Sequence, residues 1–316
     1  MSAKQPQSLS LPAAAAPAAQ PHRRSGFDRT WAPRLMVAPA VLVVLGLTLF
    51  PMLWSLQKSF YAWFPSRGAA AIWVGLDNFV WVFTSDRFWN AMGNLAFLLV
   101  FGVGIQMVLG TALALALYEG VANPRLRVVL LTLFLLPMMM PPIVVGDLWA
   151  FILTPQSGVL NYLLRQVGLP PQNWTGAELG MVSITITDIW QWTALPLLIA
   201  FSGRSSLPAS IYEAARLDGA SRWFTIRRIT LPLLKDLLLI ALLLRLMDAY
   251  KFFDAAYIIT RGGPGTATEL PGLLTYLVGF KDFDIGRAAA LTWVIGLLAI
   301  VVMQSLWNLM RQRPSS

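Results

Sequence analysis

Six ionisable side chains stand within stretches that are otherwise apolar: Asp147, Asp188, Arg245, Asp248, Lys251 and Asp254. An ion in such a setting is costly and marks a candidate functional position. Asp188 is followed at i+3 and i+4 by Gln191 and Trp192, so the three share one face of a helix. Arg245, Asp248, Lys251 and Asp254 alternate in sign at spacing three, with Tyr250 between them. Carboxylates, an amide, an ammonium group and aromatic rings together offer hydrogen bonds and stacking surfaces. Sugars suit that chemistry, because their hydroxyls need paired donors and acceptors and their C–H faces stack on rings. Asp147, Asp188, Gln191, Trp192, Asp248, Tyr250 and Lys251 are therefore the expected lining of a solute pathway open to the outside. Other uses of the same charges stay open. Arg245 and Asp248 could simply neutralise each other, Lys251 and Asp254 could snorkel to an interface, and Asp188, Asp248 and Lys251 could relay protons in a stand-alone ion-coupled carrier.

Bond-making chemistry finds no support. The chain has no cysteine and a single histidine, His22, in an Ala- and Pro-rich tail, which excludes thiolate chemistry and a histidine-based metal or catalytic site. No GxxxxGK[ST], GxSxG or HExxH occurs, so neither a phosphate-cradling loop nor a nucleophile–base pair is present. The expectation is a chain that is not an enzyme and binds no cofactor itself.

The elements that must position these residues are membrane helices. Hydrophobic residues make up 57% of the 316 and charged residues only 12%, which indicates a polytopic membrane protein. Its formal charge of +9 does not form a nucleic-acid patch, since the basic residues sit at the ends of apolar segments. Six spans are expected, at about 35–56, 91–117, 128–153, 181–202, 234–259 and 288–310, each long enough for a bilayer core. Pro137, Pro141 and Pro142 should kink or break the third. Residues 1–30 read as a disordered cytoplasmic tail and 31–316 as one six-helix domain. Lys and Arg outside the spans concentrate on the side of the tail, in the loop at 125–127 and in the loop at 204–235. The positive-inside rule then puts both termini in the cytoplasm. Trp54, Trp63, Trp73, Trp81 and Trp89 cluster about the first outer loop, as an interfacial aromatic belt would.

Residues 206–235 are too charged to cross a bilayer and too well patterned to be a plain loop. Pro208, or the capping-box spacing of Ser210 and Glu213, would start a short helix ending at Asp218-Gly219, where glycine tolerates a positive φ. A second helix follows, with Trp223, Ile226 and Ile229 near one face and Arg222, Arg227 and Arg228 marking the wet side. Two short helices joined by a glycine suggest a docking knob. An amphipathic hairpin resting on lipid headgroups would account for the basic face alone.

The spacing E-A-A-x3-G-x9-I-x-L-P, carried by Glu213, Ala214, Ala215, Gly219, Ile229, Leu231 and Pro232, resembles the cytoplasmic coupling loop of membrane subunits of binding-protein-dependent ABC importers. The run Gly262-Gly263-Pro264-Gly265 followed by Thr268-Glu269 is similar to a segment of the carbohydrate-type permeases, with Arg261 where a small residue is common. Val74–Phe79 and Leu136-Pro137 with Pro141-Pro142 extend the similarity over nearly the whole chain. The resemblance implies an all-α permease fold with a coupling loop at 204–235, in which Glu213, Ala214, Ala215, Asp218, Gly219, Ile229, Leu231 and Pro232 face an ATPase. It further implies a second homologous permease, two ATPase subunits carrying ATP and magnesium, an external solute-binding protein, a sugar or polyol as cargo, and a lipid-embedded place in the bacterial inner membrane. A non-carbohydrate solute is the alternative cargo.

Overall fold

The computed structural model describes residues 32–68 and 70–311; the tail expected at 1–30 lies outside the described residues. The pattern of internal contacts divides the chain at Trp54/Ser55, inside the first helix. That helix, α1 (Ala32–Lys58), carries Pro39 and Pro51 without ending. Up to residue 54 its apolar side chains, such as Leu42, Leu47 and Phe50, are exposed.

In the larger unit the chain first forms a two-stranded antiparallel hairpin, β1 (Tyr61–Ala62) and β2 (Ile72–Trp73), with Tyr61 opposite Trp73. Asn78, on α2 (Asp77–Thr84), donates through Nδ2 to the carbonyls of Ser59 (2.9 Å) and Tyr61 (3.0 Å) and so closes this region. The helix α3 (Asp86–Gly120) is long enough to overrun a bilayer and passes through a π-helical turn at Leu98–Val103. Next come α4 (Pro124–Met139) and α5 (Pro142–Ile152), which meet at 95°. The expected break is at the prolines: Pro141 and Pro142 lack the amide hydrogens that would continue α4.

A short α6 (Val159–Gln166) leads to α7 (Gly180–Ser206), and α8 (Ala209–Leu217) follows. Residues 222–249 form one continuous helix, α9, with a π-helical turn at Ile226–Thr230. Then come α10 (Asp254–Thr260), α11 (Pro271–Tyr276) and α12 (Ile285–Arg311).

Among the described residues four helices have the length and apolarity of a membrane span, and the bent pair α4–α5 passes the same test only when its two helices are counted together as one. Six spans were expected. The difference falls on the segment expected at 234–259. Lys235, Asp236, Arg245 and Asp248 interrupt its apolar run, and the helix ends at Ala249, so residues 250–253 separate it from α10.

The second and fourth spans are in tight contact at Gly110. A Cβ there would stand 2.8 Å from the Thr193 carbonyl and the Leu197 amide, so only glycine lets α3 and α7 meet backbone to backbone. Ala114, Leu117, Leu197 and Ala200 bury themselves beside that crossing. Further along α3, Leu95 and Leu98 pack with Met181, Ile184, Ala256 and Leu270. Near its start, Phe88 and Ala91 pack with Val82, Leu274, Ala290 and Leu291.

Candidate functional site

Arg245 is completely buried, and it gathers groups from three helices. Its Nη2 lies 3.1 Å from Asp188 Oδ2 on α7. Its Nε donates to Gln106 Oε1 on α3 at 2.7 Å, and its Nη1 to Asp248 Oδ2, one turn on, at 2.8 Å. Gln106 Nε2 closes the ring by donating to Asp188 Oδ2 at 2.6 Å. The guanidinium lies over the Trp192 ring, 4.9 Å from its centroid. Desolvating a guanidinium and a carboxylate is expensive, and their attraction compensates only when hydrogen bonds complete the arrangement. Here they do, so the cluster fixes α3, α7 and α9 in one register.

The expected pathway residues divide on this basis. Asp188, Trp192 and Asp248 converge on Arg245, with Lys251 at the edge: its Nζ is 3.8 Å from Asp248 Oδ1 and its side chain is 76% exposed. Gln191 is buried but turned elsewhere, donating from Nε2 to the Met140 carbonyl at 3.1 Å, just where the prolines end α4. Its Oε1 has no partner. Tyr250 donates to the Ile295 carbonyl at 2.7 Å, and Asp147 is exposed on α5, so neither joins the cluster. The mutual neutralisation of Arg245 and Asp248 is therefore present. It is joined by Asp188 and Gln106, 57 and 139 residues from Arg245, which no local spacing could have linked to it.

The 204–235 segment is a helix–turn–helix. Pro208 precedes α8, while Ser210 and Glu213 lie within the helix, so no capping box forms. At its end Gly219 adopts φ +76°. The Gly219 amide donates to the Arg216 carbonyl (3.0 Å) and that of Ala220 to Ala215 (2.9 Å), satisfying two of the last carbonyls of the helix. Ser221 then caps α9 by accepting from the Phe224 amide at 3.3 Å. Pro232 stands inside α9, where its ring would press on the carbonyl four residues back. The π-helical turn just before it widens the helix there.

Glu213, Ala214, Asp218, Gly219 and Pro232 are exposed, Ile229 and Leu231 half-buried, and Ala215 buried. Trp223, expected on an apolar face with Ile226 and Ile229, is 69% exposed. The two helices are pinned by a hydrogen bond between Tyr212 Oη and Thr230 Oγ1 at 3.2 Å. Beneath them Arg204 is sandwiched between the rings of Tyr212 and Tyr118, 3.6 and 4.4 Å from the centroids. Glu119 pairs with both Arg204 (3.5 Å) and Arg222 (3.3 Å). Sequence reasoning passed over this anchor; Leu217, expected only as part of the first short helix, is at 89% the most exposed large hydrophobic side chain described.

The loop after α10 is held by side chains from the start of α3. Arg87 forms a two-pronged ion pair with the buried Glu269, both contacts at 2.8 Å. Asn90 donates to the Thr266 carbonyl (2.6 Å), and Asn94 to those of Ala267 (3.1 Å) and Glu269 (2.9 Å). Thr268 Oγ1 reaches Thr260 Oγ1 at 2.7 Å and so folds the loop back on its helix. Replacing Glu269 by alanine should lower stability by about 1.5–3 kcal/mol, the range for hydrogen bonds to charged groups. Arg87→Lys should lose part of that, because an ammonium cannot fill both prongs. The thermal midpoint of the detergent-solubilised chain measures both; unchanged midpoints would show that the pair holds nothing in place.

The described residues thus form a helical membrane protein with a charged cluster buried between its helices and an exposed helix–turn–helix. Residues 106–312 match the family described as the binding-protein-dependent transport system inner membrane component, and the chain belongs to that family. It is 32% identical over 275 residues to the trehalose/maltose transport system permease protein MalF of Thermococcus litoralis, covering 85% of this chain and 90% of that one. It is 29% identical over 269 residues to the sulfoquinovosyl glycerol transport system permease protein SmoG of Agrobacterium fabrum, covering 85% and 86%. The fold is shared with a chain of a bacterial alginate ABC transporter, solved with an alginate pentasaccharide-bound periplasmic protein. The TM-score is 0.78 at 24% identity, over 90% of this chain and 96% of that one.

Proposed function

We propose that this permease carries a sugar, polyol or related carbohydrate inward, driven by separate ATPase subunits that grip residues 209–230. The observation that carries the reading is the continuity of α9. One unbroken helix begins at the knob with Arg222 and reaches Arg245 and Asp248, roughly 35 Å away at 1.5 Å per residue. A push on the knob is thereby delivered to the charged cluster without passing through a loop. Glu213, Leu217 and Asp218 are the proposed contacts with the ATPase, which would hold ATP and magnesium. A second homologous permease would complete the passage, and an external binding protein would deliver the solute. Half-buried Trp192 and Asp248 offer stacking and hydrogen bonding beside the cluster, and the carbohydrate names of the relatives support a cargo of that chemistry. Uptake assays with labelled disaccharides, polyols and amino acids, in cells expressing the whole transporter, test this. Carbohydrate uptake that requires this chain is expected; uptake of amino acids alone would overturn the cargo.

The proposed placement in the inner membrane has both termini and the 204–235 segment in the cytoplasm. Because the chain lacks cysteine, Ser221→Cys and Thr266→Cys can each be probed in intact cells with an impermeant thiol reagent. Labelling at 266 and protection at 221 are expected; the reverse pattern would invert the orientation.

A further inference from the structure

At the base of the helix–turn–helix lies a cavity of about 460 Å³ whose polar lining is Glu119, Arg204, Arg216, Arg222 and the rings of Tyr118 and Tyr212. Arg204 and Arg222 share the one carboxylate, Glu119, at 3.5 and 3.3 Å. The Arg216 guanidinium has no hydrogen-bond or ion-pair partner among the described residues, so three guanidiniums answer to a single negative charge. Next to it, between α3 and α9, runs a groove of about 570 Å³ that is almost wholly apolar, with Met107, Val108, Ala112 and Leu115 on one wall. The two spaces are neighbours, since Glu119 and Arg222 line both. They lie where α3 ends at Gly120 and α7 at Ser206, at the ends of two candidate spans. Exposed Trp223 lines the groove as an interfacial aromatic would.

We infer that these two neighbouring spaces together bind an anionic phospholipid, with its phosphate headgroup among Arg216, Arg222 and Arg204 and an acyl chain passing Glu119 and Arg222 into the groove beside Ala112. Charge complementarity and amphipathic shape select this occupant. A neutral lipid would leave the arginines unanswered. An acidic side chain of a protein partner would fill the polar cavity and leave the groove bare. The headgroup would touch both the span ends, through Glu119 and Arg204, and the knob, through Arg216 and Arg222. A bound lipid would therefore stiffen the joint through which any push on the knob must pass. This inference rests on the membrane placement and not on the nature of the cargo.

The test is native mass spectrometry of the purified full chain in neutral detergent, titrated with phosphatidylglycerol and, separately, with phosphatidylcholine, without solute or ATP. Phosphatidylglycerol should be retained about tenfold better, as two uncompensated arginines near a headgroup imply. Arg216→Gln with Arg222→Gln should abolish that preference, and Ala112→Trp should lower retention of both lipids by filling the groove. Arg227→Gln with Arg228→Gln, on the same helix but outside the cavity, should leave the preference intact. Equal retention of the two lipids by the native chain would overturn the site. So would a preference that survives loss of Arg216 and Arg222, or one that falls with Arg227 and Arg228 and so reflects diffuse surface charge. Release of phosphatidylglycerol on adding the ATPase subunits would assign the cavity to the protein partner instead.

Discussion

Arg245→Leu is expected to lose about 3–5 kcal/mol of stability, enough to empty the membrane of folded chain. The substitution removes the only cation that pairs with Asp188 among the described residues, and Asp188, fully buried, would be left as an unpaired carboxylate held by Gln106 alone. Asp248 would suffer less, because it is 34% exposed and reaches Lys251. The sharper result is in the pair. Arg245→Leu with Asp188→Leu leaves neither charge orphaned, and an apolar replacement of a complete buried pair is often neutral or stabilising. The double variant should therefore recover part of the folded yield that Arg245→Leu alone loses, the remainder being the cost of burying Gln106 with both its amide atoms unpaired. Fluorescence-detected size exclusion in detergent, with a thermal ramp, reads all of these. If Arg245→Leu alone matched the native midpoint, the cluster would not be what holds α3, α7 and α9 in register.

The ionisable residues inside apolar runs were legible because the bilayer makes them conspicuous, and alternation at spacing three joined Arg245 to Asp248 within one helix. The role of Asp188 was not legible in the same way. Its neighbours Gln191 and Trp192 lie on its face, yet Gln191 is drawn to the Met140 carbonyl, which the proline break makes available. The cluster's outside members come from helix crossings, and that of α3 with α7 is licensed by Gly110, a glycine with no turn or charge beside it to draw notice.

Chain breaks divide in the same manner. The bend between α4 and α5 announces itself in Pro141-Pro142. The end of α9 at Ala249 does not, for no glycine or proline stands between Leu233 and Thr260. There tertiary contacts decide. Tyr250 is tied to the Ile295 carbonyl, and Phe253 stacks on Tyr257 at 5.6 Å and meets Tyr276 edge-on at 5.4 Å. Asp254 then opens α10, where its charge favours the helix N-terminus. The turn between the two helices was readable at a single position because Gly219 carries a backbone constraint. The knob's anchor, Arg204 between two tyrosines, carries none.

Gly219→Val should uncouple the transporter while leaving the chain folded and inserted. Nothing lies within 4 Å of a Cβ built at this position, so bulk is not the difficulty. The difficulty is φ, which at +76° lies where a β-branched residue loses about 1–2 kcal/mol or more. Relief requires the turn to open, which breaks the amide contacts from Gly219 to Arg216 and from Ala220 to Ala215. Leu217 and Asp218 would then leave the positions from which we propose they meet the ATPase. At about 1.4 kcal/mol per decade the docked population should fall roughly tenfold. Gly219→Asn separates strain from the mere loss of glycine, because asparagine tolerates the left-handed region, and it should keep most of the activity. Retention of the ATPase on affinity-purified permease, together with solute-stimulated ATP hydrolysis, is the measurement. Full retention and full stimulation in Gly219→Val would show that the turn at Gly219 is not part of the coupling path. A loss in Gly219→Asn as deep as in Gly219→Val would show that strain is not the cause.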